Sequence, residues 1–280
     1  MANESGFQVG RDAPHFYETH TAIFMAPFVD ALVRACVGSG DAVLDVACGT
    51  GFAARAAAAA AGDGARIEGT DINPAMIAQA SAIAQDTGVD IHWREASALD
   101  LPYDDCEFDA VICQQGIQFF PEPTAAIREM ARVLRPGGRL GLTAWAPAQG
   151  VSFLHLEADM LARVLGEPIP PFSIGEEQLA GWLADAGLAD ASIELVEVAV
   201  DLPPVQDYVP EHLKALPRSA SFFSQSDEVQ RAALRELEED LKHLKSGEGL
   251  TVPFARTWRQ RSSERPPISG PVPRFLVKRW

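Results

Sequence analysis

Apolar and polar positions along this chain change period repeatedly, from the run of a buried strand to the spacing of a helix and back. AVLDVA (42–47) is a short apolar run interrupted by one acid, Asp45, and predicts a buried strand. FAARAAAAAA (52–61) predicts a helix built from the best helix former and stopped by Gly62. ARIEGTD (65–71) predicts a second strand, and PAMIAQASAIAQDTG (74–88) a helix that opens on proline and closes on glycine. VDIHWRE (89–95), FDAVICQ (108–114) and GRLGLTAW (138–145) predict three more strands, with a helix over PTAAIREMARVL (123–134) before the last. Strands alternating with helices predict a parallel sheet covered on both faces.

Either side of this block the pattern is different. TAIFMAPFVDALVRACV (21–37) has helical spacing, with Pro27 marking a break or kink. Helices are expected over 151–165 and 176–187, and ASIELVEVAVDL (191–202) alternates as a strand. PPVQDYVPEHLKALPRSASFF is proline-rich and expected to be irregular. SDEVQRAALRELEEDLKHLKSG (226–247) predicts a helix capped by Ser226 and ended by Gly247, and LTVPFARTW (250–258) a last strand. Residues 203–249 therefore look like an insertion between two strands of a single domain, 1–258. The remaining 259–280 form a basic, proline-rich tail of local charge +5 on a chain otherwise at −21. That tail is expected to lie loosely on the acidic body or to serve as a dimer arm.

Charge narrows the functions. The net charge of −16 disfavours nucleic acid and anionic membrane surfaces as partners. The N-terminus has no leader pattern and no apolar run reaches the length of a membrane span, so a cytoplasmic protein is expected. Cys36, Cys48, Cys106 and Cys113 form no CxxC pair and are expected to be small buried hydrophobes; neither a disulfide framework nor a metal site is indicated.

Chemistry enters at VLDVACGTGF (43–52), a strand running into residues with little side chain. Gly49, Gly51 and Ala54 satisfy the dinucleotide fingerprint G-x-G-x-x-G/A, and Asp71 stands about 20 residues beyond. An NAD(P)-dependent oxidoreductase is thus one reading. Asp45 argues against it, because a carboxylate beside the loop repels a pyrophosphate but suits the ammonium and sulfonium of S-adenosylmethionine (SAM). The loop also lacks the Lys-Ser/Thr ending of a P-loop.

VLDVACGTG (43–51), GTDINPAMI (69–77), EASALDLPYDDCEFDAV (95–111) and MARVLRPGGRLGLTAW (130–145) together resemble the class I SAM-dependent methyltransferases, in particular the ubiquinone/menaquinone-biosynthesis-like (type 11/25) group. The resemblance covers about residues 40–146. It implies an α/β, Rossmann-like, seven-stranded, mostly parallel sheet with helices on both faces, an N-terminal helical lid (1–38) and a helical insertion near the C-terminus. It further implies that Asp45, Ala47, Gly49 and Gly51 face the methionine and ribose parts of SAM, the glycines because a Cβ would strike the ligand. Asp71 would grip the ribose hydroxyls, Ile72 pack on the adenine, Ser97 and Ala98 lie at the adenine edge, and Gln114 face the methionine end. Tyr17 and His20 would belong to the segment that closes over the cofactor.

The implied activity is methyl transfer to a small, partly apolar organic acceptor, with O, N, S and C all open as the acceptor atom. A SAM-binding protein that transfers no methyl remains an alternative on the same fold. Because the donor is already activated, a general base is needed only when the acceptor must lose a proton. Among His15, His20, His92, His155, His212 and His243, the two in segments flanking the acceptor space in similar enzymes are His20 and His155, the catalytic candidates. Tyr208, Phe222 and Phe223 either line an acceptor cavity or pin the insertion to the sheet. One face of the 226–247 helix, from Val229 to Leu244, reads as core docking, with a homodimer contact as its other use.

Overall fold

Phe24, Phe28, Leu32 and Cys36 recur at every fourth residue and are all buried. That stripe makes one face of a helix a core surface. In the computed structural model, which describes residues 13–147, 153–169, 173–191, 193, 196–256 and 278–279, helix α1 (Ala13–Phe16) and a π-helical turn (Tyr17–Thr21) lead into this helix, α2 (Ala22–Cys36). Pro27 lies within α2 without ending it, because the buried stripe continues through it.

The sheet forms as the alternating pattern requires. Strand β1 (Ala42–Val46) is buried along its whole length. It is followed by α3 (Phe52–Ala61), β2 (Arg66–Asp71), α4 (Pro74–Thr87), β3 (His92–Glu95), β4 (Phe108–Gln114), α5 (Pro123–Arg132) and β5 (Leu134–Thr143). The five strands are parallel in the order β3-β2-β1-β4-β5. Val43, Ile67 and Ile112 face a cluster with α2 and α3, while Leu44, Val46, Val111 and Leu142 face one with α5. Chain order reverses between β1 and β4, and open α/β sheets take ligands beyond the carboxyl ends of the strands at such a reversal.

After β5 come α6 (Phe153–Leu165), α7 (Glu176–Asp185), β6 (Val196–Leu202), α8 (Val205–Lys214), α9 (Ser219–Phe223), α10 (Asp227–Asp240), β7 (Lys245–Ser246) and β8 (Gly249–Arg256). The expected seven-stranded sheet is corrected here: β6 and β8 pair antiparallel with each other, with β7 on β8, in a separate three-stranded sheet. Alternation shows that a segment is extended but not which edge it meets. Val200, Leu202, Leu250 and Val252 share the apolar cluster of α2, and that burial holds the two strands together. The outer edge of β5 instead carries a two-residue antiparallel segment, β9 (Lys278–Arg279). The rest of the tail and residues 1–12 of the expected lid lie outside the described residues.

The stretch expected to be irregular holds α8 and α9. Pro204 is the N-cap of α8, and Pro210 inside it removes one N–H donor and crowds the preceding turn, a cost the helix absorbs. Val205, Tyr208, Val209, His212 and Leu213 form the buried stripe that keeps it helical. The helix expected through 247 stops at Asp240, where His243 folds back to the Asp240 carbonyl at 3.0 Å. Its Ala233, Leu237 and Leu241 dock into the core, whereas Val229 is exposed.

Candidate functional site

The turn out of β1 needs left-handed backbone at Ala47 (φ 57), Gly49 (φ 54) and Gly51 (φ 83). Its hydrogen bonds run to β2. The Cys48 N–H donates to the Thr70 carbonyl at 2.9 Å, and the Gly49 N–H to one Asp71 oxygen at 2.9 Å. The other Asp71 oxygen accepts from the Asn73 N–H at 2.8 Å. Asp71 thus holds the loop's shape, with a second lone pair on each oxygen left for a ligand. Burial raises its pKa, and the Asn73, Gly49 and Ile72 N–H groups oppose the rise.

The two loop glycines have different reasons to exist. A Cβ on Gly49 would meet only the Tyr17 ring, at 3.9 Å, so it faces open space. A Cβ on Gly51 would lie 2.3 Å from Trp93, a residue the sequence reading passed over. Gly51 is required by packing against β3 and does not line the site, contrary to the expectation that its Cβ would strike a ligand.

Asp45 is fully buried on the α2 and α3 side of β1, and neither of its oxygens has a hydrogen-bond partner. Burial pushes its carboxyl up to about 8; the Ala54 N–H opposes the shift without reaching standard bonding geometry. Asp45 closes a small recess shared with Tyr17, Met25, Gly49 and Gln114. Next to it opens a cavity of about 820 Å³. Tyr17, Ala47, Gly49, Asp71, Ile72, Ser97, Ala98 and Gln114 all line it, so eight of the ten expected cofactor residues meet there and Asp45 stands beside them. Ile72 is 41% exposed, one of two large apolar side chains so exposed among the described residues. The Ser97 hydroxyl accepts from the Leu99 N–H at 3.2 Å, and the Gln114 amide donates to the Met25 sulfur at 3.3 Å. Burial, with Asp71, Glu18 and Asp45 nearby, raises the Tyr17 hydroxyl pKa well above its usual value. Glu18 in the same π-helical turn binds the Thr50 hydroxyl and Arg55, tying the N-terminal segment to the glycine loop.

The far end of the cavity is built by α6, α8 and the sheet's outer loops. Phe24, Trp145, Leu161 and Ile169 make it apolar, and the buried amides of Gln115 and Gln118, which have no partner, supply polarity. Neither catalytic candidate reaches it. His155 is exposed on the outer face of α6, and the His20 ring bonds Thr19 while its carbonyl accepts the Tyr208 hydroxyl at 2.8 Å. Tyr208, Phe222 and Phe223 do not line the cavity either; Phe222 is buried in the core, so these aromatics pin the insertion. The insertion contributes His212, Leu216, Pro217 and Arg218 instead. His212 bonds Glu157 of α6, Nδ1 to Oε1, at 2.9 Å, and both line the cavity. Of the cysteines, Cys36, Cys48 and Cys113 are buried as expected, and Cys106 is exposed. Among the described residues no cluster of acids, histidines and cysteines could hold a metal, and no helix is long and apolar enough to cross a membrane.

Residues 43–138 match the family model described as a methyltransferase domain. This segment is a class I methyltransferase domain. It contains β1 to β4, the glycine loop and Asp71, and the match implies SAM as its cofactor. An uncharacterized Mycobacterium tuberculosis protein is 41% identical over 122 residues, covering 43% of each chain. The ubiquinone biosynthesis O-methyltransferase of Xanthomonas axonopodis pv. citri is 34% identical over 155 residues, 54% of this chain and 63% of that one. The chain thus spans less than half the length of the first of these relatives and under two thirds of the second. A putative methyltransferase of Bacillus halodurans has the same fold, with a TM-score of 0.53, 18% identity, and coverage of 82% of this chain and 96% of that one. A SAM-dependent methyltransferase of Aquifex aeolicus gives a TM-score of 0.52 at 19% identity, covering 68% and 93%.

The residues of the methyltransferase domain fit that cofactor. A buried carboxylate with two free oxygens is the counterpart an ammonium group needs, and it is a poor neighbour for a pyrophosphate.

Proposed function

We propose that this protein transfers the methyl group of SAM to a small, partly apolar organic acceptor by in-line displacement. The unpartnered carboxylate of Asp45 carries this reading, because it is costly in the free protein and is relieved by a cationic ligand. SAM supplies a sulfonium methyl already activated for attack. Asp45 holds the ammonium, with Tyr17, Ala47, Gly49 and Gln114 around the methionine end. Asp71 accepts from the ribose hydroxyls through its remaining lone pairs, Ile72 packs on the adenine, and Ser97 and Ala98 meet its edge. The cavity beyond holds the acceptor against apolar walls and excludes water, which is how such a displacement is accelerated.

The Xanthomonas relative is by name an O-methyltransferase, which supports oxygen as the acceptor atom. The net charge of −16 supports a small molecule over nucleic acid. The test is transfer of labelled methyl from SAM to a panel of phenols, quinols, amines and thiols, with Asp71→Ala as control, alongside calorimetric titration with S-adenosylhomocysteine and NAD(P). Label on one acceptor class, lost in the variant, is the expected result. Binding of NAD(P) but not S-adenosylhomocysteine would overturn the reading in favour of an oxidoreductase. S-adenosylhomocysteine binding without transfer to any class would leave a SAM-binding protein that is not a methyltransferase.

A further inference from the structure

An acidic side chain and a histidine are buried side by side at the acceptor end of the cavity, on elements that have no sequence contact with each other. Glu157 is 2% exposed and His212 1%. Both sit in helical stripes that are otherwise apolar: Phe153, Leu156, Met160 and Leu161 surround Glu157 on α6, and Val205, Val209 and Leu213 surround His212 on α8. Placing two polar groups in such stripes costs stability unless they are paired. Their Nδ1 to Oε1 bond of 2.9 Å pairs them.

An ionised carboxylate can only accept, so Nδ1 carries the imidazole proton and Nε2 is the basic nitrogen. Among the described residues the ring's hydrogen bonding is confined to Nδ1. Its faces are fixed by aromatics: Tyr208 stacks on it at 5.5 Å with a 10° tilt, and Phe24 meets it edge-on at 5.5 Å. A ring held this firmly, with its second nitrogen unpaired and the residue lining the cavity, is placed to accept a proton from a bound molecule. We infer that His212 is the general base of this protein and Glu157 the positioning residue that sets its tautomer. The inference rests on the methyl-transfer reading and adds to it that the acceptor is a weakly acidic hydroxyl.

In the step so assigned, the acceptor O–H bond breaks and its proton passes to Nε2. The oxygen's electron pair forms the new bond to carbon, and the pair of the breaking C–S bond stays on sulfur. The imidazolium is held by Glu157 until it releases its proton to solvent. Among the described residues Tyr208, whose hydroxyl is committed to the His20 carbonyl, stacks on the ring, and Tyr17, Asp71 and Arg218 are further titratable or charged groups that line the same cavity.

The experiment compares the wild type with His212→Gln and Glu157→Gln on two phenols, 4-methylphenol, which is neutral at neutral pH, and 4-nitrophenol, which is largely ionised at slightly alkaline pH. His212→Gln should lose on the order of 10²- to 10⁴-fold in methyl transfer to 4-methylphenol and far less to 4-nitrophenol, with unchanged affinity for S-adenosylhomocysteine. Equal losses on both phenols, or no loss, would overturn the assignment. Glu157→Gln keeps the shape of the site and serves if the histidine variant fails to fold. The amide that replaces the carboxylate can donate to Nδ1 and so release the tautomer, so this variant should lose rate on 4-methylphenol while 4-nitrophenol is spared; an equal fall on both phenols would mean that Glu157 is merely structural. A readout without turnover separates this inference from the reading beneath it. In ¹⁵N NMR of the S-adenosylhomocysteine complex, His212 should be the Nδ1-protonated tautomer, with an Nε2 resonance that responds to 4-nitrophenol. An Nε2-protonated or unresponsive ring refutes the base even if methyl transfer is found, and an expected spectrum with no transfer to any acceptor refutes methyl transfer instead.

Discussion

Replacing Asp45 by asparagine separates the cost of this carboxylate from its use. In the folded protein burial has raised its pKa to about 8, against 3.8 for an ordinary aspartate. The folded state therefore binds this proton more tightly than the unfolded chain. The associated stability is fully present below about pH 4 and is lost as the pH rises to about 8, by an upper amount on the order of 6 kcal/mol at about 1.4 kcal/mol per unit. Asp45→Asn has no charge to desolvate and carries only an unsatisfied amide, a cost of about 1–3 kcal/mol that does not vary with pH. Denaturant unfolding of both proteins without ligand, at several pH values between about 5 and 8, should show the variant gaining on the wild type by up to about 1.4 kcal/mol per pH unit.

The same side chain should make ligand binding proton-linked. Pairing with an ammonium returns Asp45 to its ionised form, so binding of S-adenosylhomocysteine at neutral pH should release close to one proton. Calorimetry in buffers of different ionisation enthalpy counts it. The variant should release none and bind at least about 10-fold more weakly, the loss of a hydrogen bond to a charged group. A stability difference that is flat with pH, or an undiminished affinity in Asp45→Asn, would refute the reasoning.

Three further substitutions test the frame around Asp45. Gly51→Ala puts a Cβ 2.3 Å from Trp93 at φ 83 and should cost about 2–5 kcal/mol of unfolding free energy; Trp93→Leu in the same chain should recover part of it. Asp71→Asn exchanges one of two accepting oxygens for a donor, so hydrogen exchange at the Gly49 amide should speed up and S-adenosylhomocysteine affinity fall about 10-fold or more. Glu18→Gln leaves Arg55 without its anion and should destabilise by about 2–4 kcal/mol, with faster proteolysis around Tyr17–Thr21.

The parallel sheet was legible because each strand and each crossover helix carries its own period, and the loop that ends β1 announces itself by its small residues. Three features were not. The pairing of β6 with β8 depends on burial against α2, which lies far away in sequence. Helix α8 hides behind two prolines whose local cost is overridden by one buried stripe. The family resemblance puts Gly51 against the cofactor, whereas its constraint comes from Trp93, on a strand about 40 residues on.

The catalytic candidates show why position in a pattern is more informative than residue type. His155 is a histidine in a promising helix, but it stands on the face opposite Phe153 and Met160 and points to solvent. Glu157 lies within that apolar stripe, four residues after Phe153, where helical spacing calls for a hydrophobic side chain; His212 breaks the stripe of α8 in the same way, and Asp45 breaks the apolar run of β1. Each of these three disobeys the local rule and is nonetheless buried. Such violations persist where function requires them. Here they lie at both ends of the site, Asp45 in the recess beside the cavity and Glu157 with His212 on its far wall. A carboxylate that needs a cation at one end, and a paired imidazole that can take a proton at the other, are what a reaction between a sulfonium donor and a hydroxyl acceptor requires of the protein.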